Sequence, residues 1–297
     1  MHKLVETVLS APLRVLALSL AFSGGARDYT ASSVQEPDAK VDDLEGILSR
    51  SEISLVTTLG SGFQWTDGIT GKEVPATRLP AYLALLFREL SLYPENGLKE
   101  MGLTKIVLCT KLVSDGDSTG GVMSKGDRVL YLEAGDGSEY PAYQAKTLHH
   151  ELFHAIDLGD AVRDGTLVYV DEDWVALNPT GEDAYTRRSF EDIGHWEWCL
   201  NLGSPGFVTA YATMDVAEDK AETFANMMVL PSWVDLACRH DTVLASKVGR
   251  MKSILGAYSR EFDEKFWIRM WATRKKQGSR QPSLNALEVL RSGAVDR

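Results

Sequence analysis

The chain has 297 residues and a formal charge of −11, from 42 acidic and 31 basic side chains. Apolar residues at 44% and charged residues at 25% describe a soluble globular protein with one sizeable core or two modest ones. The acidic balance argues against a nucleic-acid backbone as main partner, which needs clustered Lys and Arg. Three scattered cysteines, Cys109, Cys199 and Cys238, with no CxxC pair, argue against a disulfide scaffold and against a thiolate zinc or redox motif. One disulfide with one thiol left over stays open.

At the N-terminus Lys3 and Arg14 precede an apolar run at 15–22, and Gly24-Gly25-Ala26 follow with the small residues that a signal peptidase accepts. Residues 1–26 therefore read as a signal segment of a secreted or extracytoplasmic protein. The short run, with Glu6 and Pro12 before it, keeps the alternative of an amphipathic or disordered leader on a cytoplasmic one. No other stretch is long and apolar enough to span a bilayer. Residues 27–45 are polar and read as a linker, leaving 46–297 as a single domain.

Within that domain "ISLVTTL" (53–59) and "FQWTDGITGKEV" (63–74) predict strands around turns. "LPAYLALLFRELSLYP" (79–94) has helical spacing and ends against Pro94. "TKIVLCTKLV" (104–113) predicts a buried strand, 114–121 a glycine-bearing loop, and "DRVLYLEA" (127–134) another strand. A helix is expected over 141–158 with Gly159 as its stop, then an irregular excursion over 160–205 with an aromatic cluster, "HWEWCL". A second strong helix covers 216–230 up to Pro231, and helical pattern dominates beyond it. The order implies one α+β domain rather than a doubly wound sheet.

The chemistry concentrates at "KTLHHELFHAID". His150-Glu151-Leu152-Phe153-His154 fits HExxH: histidines at i and i+4 lie one helical turn apart, so both imidazoles reach one ion, with a carboxylate beside them for proton transfer. Winding the helix at about 100° per residue from Leu148 places Leu152, Ile156 and Phe153 on one arc, and His150, His154, Asp157 and Glu151 on the other. His149 falls in the apolar arc and reads as structural. The extended HExxHxxGxxH form fails, because Asp157 and Asp160 stand where its glycine and last histidine belong.

A catalytic zinc needs three protein ligands and an open position. In "AYATMDVAEDKAETFANMMV" Glu218 shares the arc of Ala221, Phe224, Ala225, Met228 and Val229, and a carboxylate turned toward a core needs a cation. Glu222, at the edge of that arc, is placed to accept the free ring N–H of a ligating histidine, and Asp157 shares the arc of the histidines on their own helix. Asp219 and Lys220 read as surface. Tyr211, seven residues before Glu218, is the candidate for polarising a substrate carbonyl. Rivals are weaker: His195 reads as part of an aromatic wall, His240 as structural, Met227-Met228 as core filling, and Asp171, Glu172 and Asp173 as a solvated acidic run.

The segments "LKEMGLTKIVLC", "DRVLYLE", "HHELFHAID", "DWVALNP" and "GFVTAYATMDVAEDKAETFANMMV" resemble those of bacterial-type zinc-binding metallopeptidases, a gluzincin-like family. The spacing of Tyr211, Glu218 and Glu222 is similar to that in the catalytic domain of anthrax lethal factor. The resemblance implies a zincin-like fold, a mixed sheet on the HExxH helix with a mostly helical C-terminal part. It implies one Zn2+ held by His150, His154 and Glu218, with Glu151 as general base and Tyr211 as oxyanion donor. The stretch 178–206 has no counterpart in it. The expected function is zinc-dependent hydrolysis of a peptide or protein substrate, with strand 127–134 as the sheet edge that pairs with it. The alternatives are a zinc-stabilised binding protein without turnover and a zinc hydrolase of a non-peptide amide.

Overall fold

The computed structural model describes residues 37–135, 141–164, 171–186 and 204–276. The expected leader at 1–26, Cys199, His195 and the rest of the aromatic cluster at 195–200 lie outside them. Helix α1 (Pro37–Arg50) starts inside the stretch expected as linker, and sends Leu44 and Leu48 into the core.

A six-stranded mixed sheet follows. Strand β3 (Lys105–Ser114) is its spine, parallel to β1 (Ser54–Val56) on one side and to β6 (Val129–Glu133) on the other. On either side of Lys111, whose φ is 52°, β3 pairs antiparallel with β2 (Ile69–Lys72), and its end pairs antiparallel with β4 (Asp117–Ser118). Strand β5 (Gly121–Ser124) runs antiparallel to β6 and has no further strand beyond it among the described residues. This corrects the expected edge: 127–134 is an interior strand, and the rim is "GVMS", four residues of which Gly121 fell in the predicted loop and the rest in no predicted element.

Alternation along the strands splits the core in two. Ile106, Leu108, Leu130 and Leu132 face the helices, whereas Val107, Cys109, Val129 and Tyr131 face a smaller cluster closed by Phe63 and Trp65, with Trp65 stacked on Tyr131. Helix α2 (Leu79–Leu90) stops short of Pro94, and α3 (Glu95–Glu100) uses Pro94 as its cap. Helix α4 (Pro141–Asp164) runs through Gly159. A lone helical glycine costs only about 1 kcal/mol relative to alanine, too little to end a helix that neighbours hold. The excursion after α4 contains a short helix α5 (Glu172–Val175) and a 3₁₀ turn at Gly181–Ala184. Helix α6 (Val216–Val229) packs along α4, and α7 (Pro231–Cys238), α8 (Thr242–Tyr258) and α9 (Glu264–Lys276) complete the helical C-terminal part. No described helix is long and apolar enough to cross a membrane, and Cys109 and Cys238 are free thiols.

Candidate metal centre

Helices α4 and α6 bring three side chains from distant parts of the sequence to one point. His150 Nε2 lies 3.1 Å from His154 Nε2 and 3.0 Å from Glu218 Oε2, and His154 Nε2 lies 3.5 Å from Glu218 Oε1. No other group among the described residues gathers three such ligand atoms. Zinc bonds of about 2.0–2.1 Å at tetrahedral angles set ligand atoms about 3.3–3.4 Å apart, and the three separations straddle that value.

The donor chemistry points the same way. The Nδ1 atom of His150 lies 2.9 Å from Glu222 Oε1, so the ring N–H belongs there and Nε2 presents its lone pair inward. A lone pair facing a carboxylate and a second imidazole is repulsive unless a cation or an extra proton lies between them. Burial pulls the His150 pKa down, but the Glu218 and Glu222 carboxylates outweigh it and raise it to about 10. Glu218 is held well below the usual carboxylate range, because the two histidines overcome its burial.

Local structure places these side chains. Asp215 caps α6 by accepting the Ala217 and Glu218 backbone N–H groups at 2.8 and 3.0 Å, which fixes the first turn carrying Glu218. Glu222, one turn on, is buried; Lys146 Nζ and Thr209 Oγ1 each lie 2.6 Å from its Oε2. Burial opposes its ionisation, yet Lys146 and His150 bring its pKa down to about 2.

Glu151 lies beside the histidines on α4, against the edge strand. Its carboxylate accepts the backbone N–H of Met123, and a Cβ on Gly121 would stand 2.9 Å from its Cγ and 2.8 Å from Thr147 Cγ2. Burial raises its pKa above the ordinary value. Tyr211 opens a 3₁₀ turn (Tyr211–Thr213), its ring centroid 5.9 Å from that of His150. Burial and then the Glu218 and Glu151 carboxylates push its phenol pKa well above the ordinary value.

Asp157 does not reach the triangle. It takes Lys220 Nζ at 2.7 Å, while His154 feels its charge from a distance. His149 is wholly buried between Tyr93 Oη at 2.6 Å and Glu89 Oε2 at 2.9 Å, with Arg274 bound to the same glutamate.

Asp219 and Lys220 are buried rather than surface residues. Asp219 Oδ2 takes Lys247 Nζ at 2.7 Å, Trp174 Nε1 at 2.9 Å and Tyr185 Oη at 3.0 Å. Lys220 pairs with Asp157 and reaches Asp171 at 3.7 Å. Helical phase misplaced them because α6 is enclosed on nearly every side, so its polar arc meets partners instead of water. Asp171 likewise is no solvated acid, since it also caps α5 through the Trp174 N–H.

Sequence reasoning missed Lys146, Thr209, Asp215 and the edge strand. Asp215 carried a readable signal, an N-cap aspartate with glutamate three residues on. The others depend on tertiary contacts that no local pattern encodes.

No protein-family model matches the chain, and no curated protein does. Among solved structures the chain is similar to a "putative zinc-binding metallo-peptidase" from Bacteroides caccae. The identity is 17%, the match covers 82% of this chain and 94% of that one, and the TM-score is 0.49. What the centre can do therefore rests on its own atoms.

Proposed function

We propose that the protein is a zinc-dependent metallopeptidase of zincin-like, gluzincin type, with His150, His154 and Glu218 as ligands of one Zn2+. The observation that carries this reading is the convergence of two imidazole nitrogens and one carboxylate at zinc-like spacing, with a buried glutamate beside them. Zinc bound there supplies Lewis acidity, bringing the pKa of a water molecule to near neutrality.

The chain's own residues do the rest. Glu151, whose carboxylate is oriented by the Met123 N–H, takes a proton from the attacking water and hands it to the leaving amine. Tyr211, whose phenol pKa is raised by burial, donates a hydrogen bond to the carbonyl oxygen as negative charge grows on it. Glu222 holds His150 in the tautomer that presents Nε2. Strand β5, with no strand beyond it among the described residues, is the edge on which an extended peptide would pair beside Glu151. The signal-like pattern of residues 1–26 supports an extracytoplasmic location, with a leader on a cytoplasmic protein as the alternative.

The test pairs metal analysis with a peptide-library assay. Wild type should hold one zinc per chain, and His154→Ala and Glu218→Ala should lose it. Glu151→Gln should keep the metal while hydrolysis falls by about 10²–10⁴-fold. Full hydrolysis by a zinc-loaded Glu151→Gln variant, or undiminished zinc in Glu218→Ala, sinks the proposal.

A further inference from the structure

Lys146 occupies the position one helical turn before His150 on α4, on the same face. Only 7% of its side chain is exposed, and its Nζ lies 2.6 Å from Glu222 Oε2. The same oxygen accepts a hydrogen bond from Thr209 Oγ1 at 2.6 Å, while Glu222 Oε1 faces His150 Nδ1 at 2.9 Å. A buried ammonium is a costly way to fill space, and an apolar side chain there is cheaper once its partner is also apolar. Its presence opposite a carboxylate that touches a ligand calls for a role at the centre.

We propose that Lys146 is a positioning residue for His150, acting through Glu222; the inference rests on the zinc reading above. Two donors on Oε2 fix the plane of the carboxylate and leave Oε1 as the atom that His150 meets. Without Lys146 the carboxylate is free to turn about its last bond, and the imidazole loses the fixed acceptor that sets its ring angle. Thr209 contributes the second anchor. Its hydroxyl also accepts the Ala212 N–H at 3.1 Å, so the clamp on Glu222 is tied to the turn that carries Tyr211.

The experiment measures zinc affinity by competition with a chromophoric chelator. It is run on wild type, Lys146→Met, Lys146→Arg, Thr209→Val and His154→Ala, with the visible spectrum of the cobalt-loaded proteins as a report on ligand geometry. Removal of an outer partner of a ligating histidine weakens metal binding by about 10–100-fold. Lys146→Met should fall in that range with an altered cobalt spectrum. Lys146→Arg should stay within about threefold of wild type, and Thr209→Val should weaken binding by about threefold or more. Metal-free thermal unfolding checks that each variant is folded. Should Lys146→Met fail to fold, Lys146→Arg and Thr209→Val decide. Wild-type affinity and spectrum in Lys146→Met or in Thr209→Val overturn the proposal, as does equal loss in Lys146→Arg and Lys146→Met. Failure of wild type to take zinc, or tight binding by His154→Ala, would instead overturn the zinc reading itself.

Discussion

Replacing Lys247 by methionine isolates the charge of Asp219. The ion pair is fully enclosed, with Nζ 2.7 Å from Oδ2 and 3.9 Å from the Phe207 ring centroid. Removing one partner of such a pair costs about 3–5 kcal/mol, because the other charge is left in a low-dielectric site. Trp174 and Tyr185 still donate to Asp219, so protonation is its escape. Bringing a carboxylate of ordinary pKa, about 3.9, to its neutral form costs about 4 kcal/mol at pH 7 and about 1.5 kcal/mol at pH 5, at 1.36 kcal/mol per unit. Even with Lys247 present, burial raises the Asp219 pKa, so the folded state favours the protonated form more than the unfolded chain does. The deficit of Lys247→Met in urea unfolding should therefore be about 3–4 kcal/mol at pH 7 and shrink to about 1–2 kcal/mol at pH 5. Adding Asp219→Asn should recover most of the loss at neutral pH. A variant within about 1 kcal/mol of wild type, with no dependence on pH, would falsify the account of Asp219 as a buried charge.

Three further outcomes follow from the same geometry. His149→Gln should retain one zinc per chain in metal analysis, while losing about 1–3 kcal/mol in thermal unfolding as the Tyr93 and Glu89 contacts go. Gly121→Ala forces a methyl to within 3 Å of Thr147 and Glu151, so overpacking of about 1–3 kcal/mol and a fall in peptide hydrolysis are expected together. Burial works against Glu89, but hydrogen bonds from His149 and Arg274 hold it well below its ordinary value of 4.5. It thus adds stability above that pH which is lost as pH falls further, and Glu89→Gln should flatten the acid limb of stability against pH.

The cluster of His150, His154 and Glu218 was readable because each member obeys a helical period. Spacing put His150 and His154 on one face of α4, and Glu218 among the apolar residues of α6. The same tool separated His149 from its neighbours but could not foresee Glu89 and Arg274, which reach it from α2 and α9. It failed outright for Asp219 and Lys220. A helical wheel assumes one wet side, and α6 has none wide enough to hold them. The rim of the sheet escaped for a different reason: β5 is four residues long and opens with a glycine, so propensity reads it as a turn. Its glycine is required because the strand runs against Glu151 and Thr147 with no room for a side chain.

The consecutive residues Glu218, Asp219 and Lys220 reach out from α6 in three directions: toward two histidines, toward a lysine of α8, and toward an aspartate of α4. Any slippage of the helix is thereby penalised at three places at once. Inserting one residue ahead of them turns the triplet by about 100°, which takes the Glu218 carboxylate away from the imidazoles and brings Asp219 to the place where Lys220 meets Asp157, carboxylate against carboxylate. Segments elsewhere can change length by a loop's worth without touching this point, but the numbering from Asp215 to Glu222 is frozen. The spacing is as much a part of the centre as the side chains are.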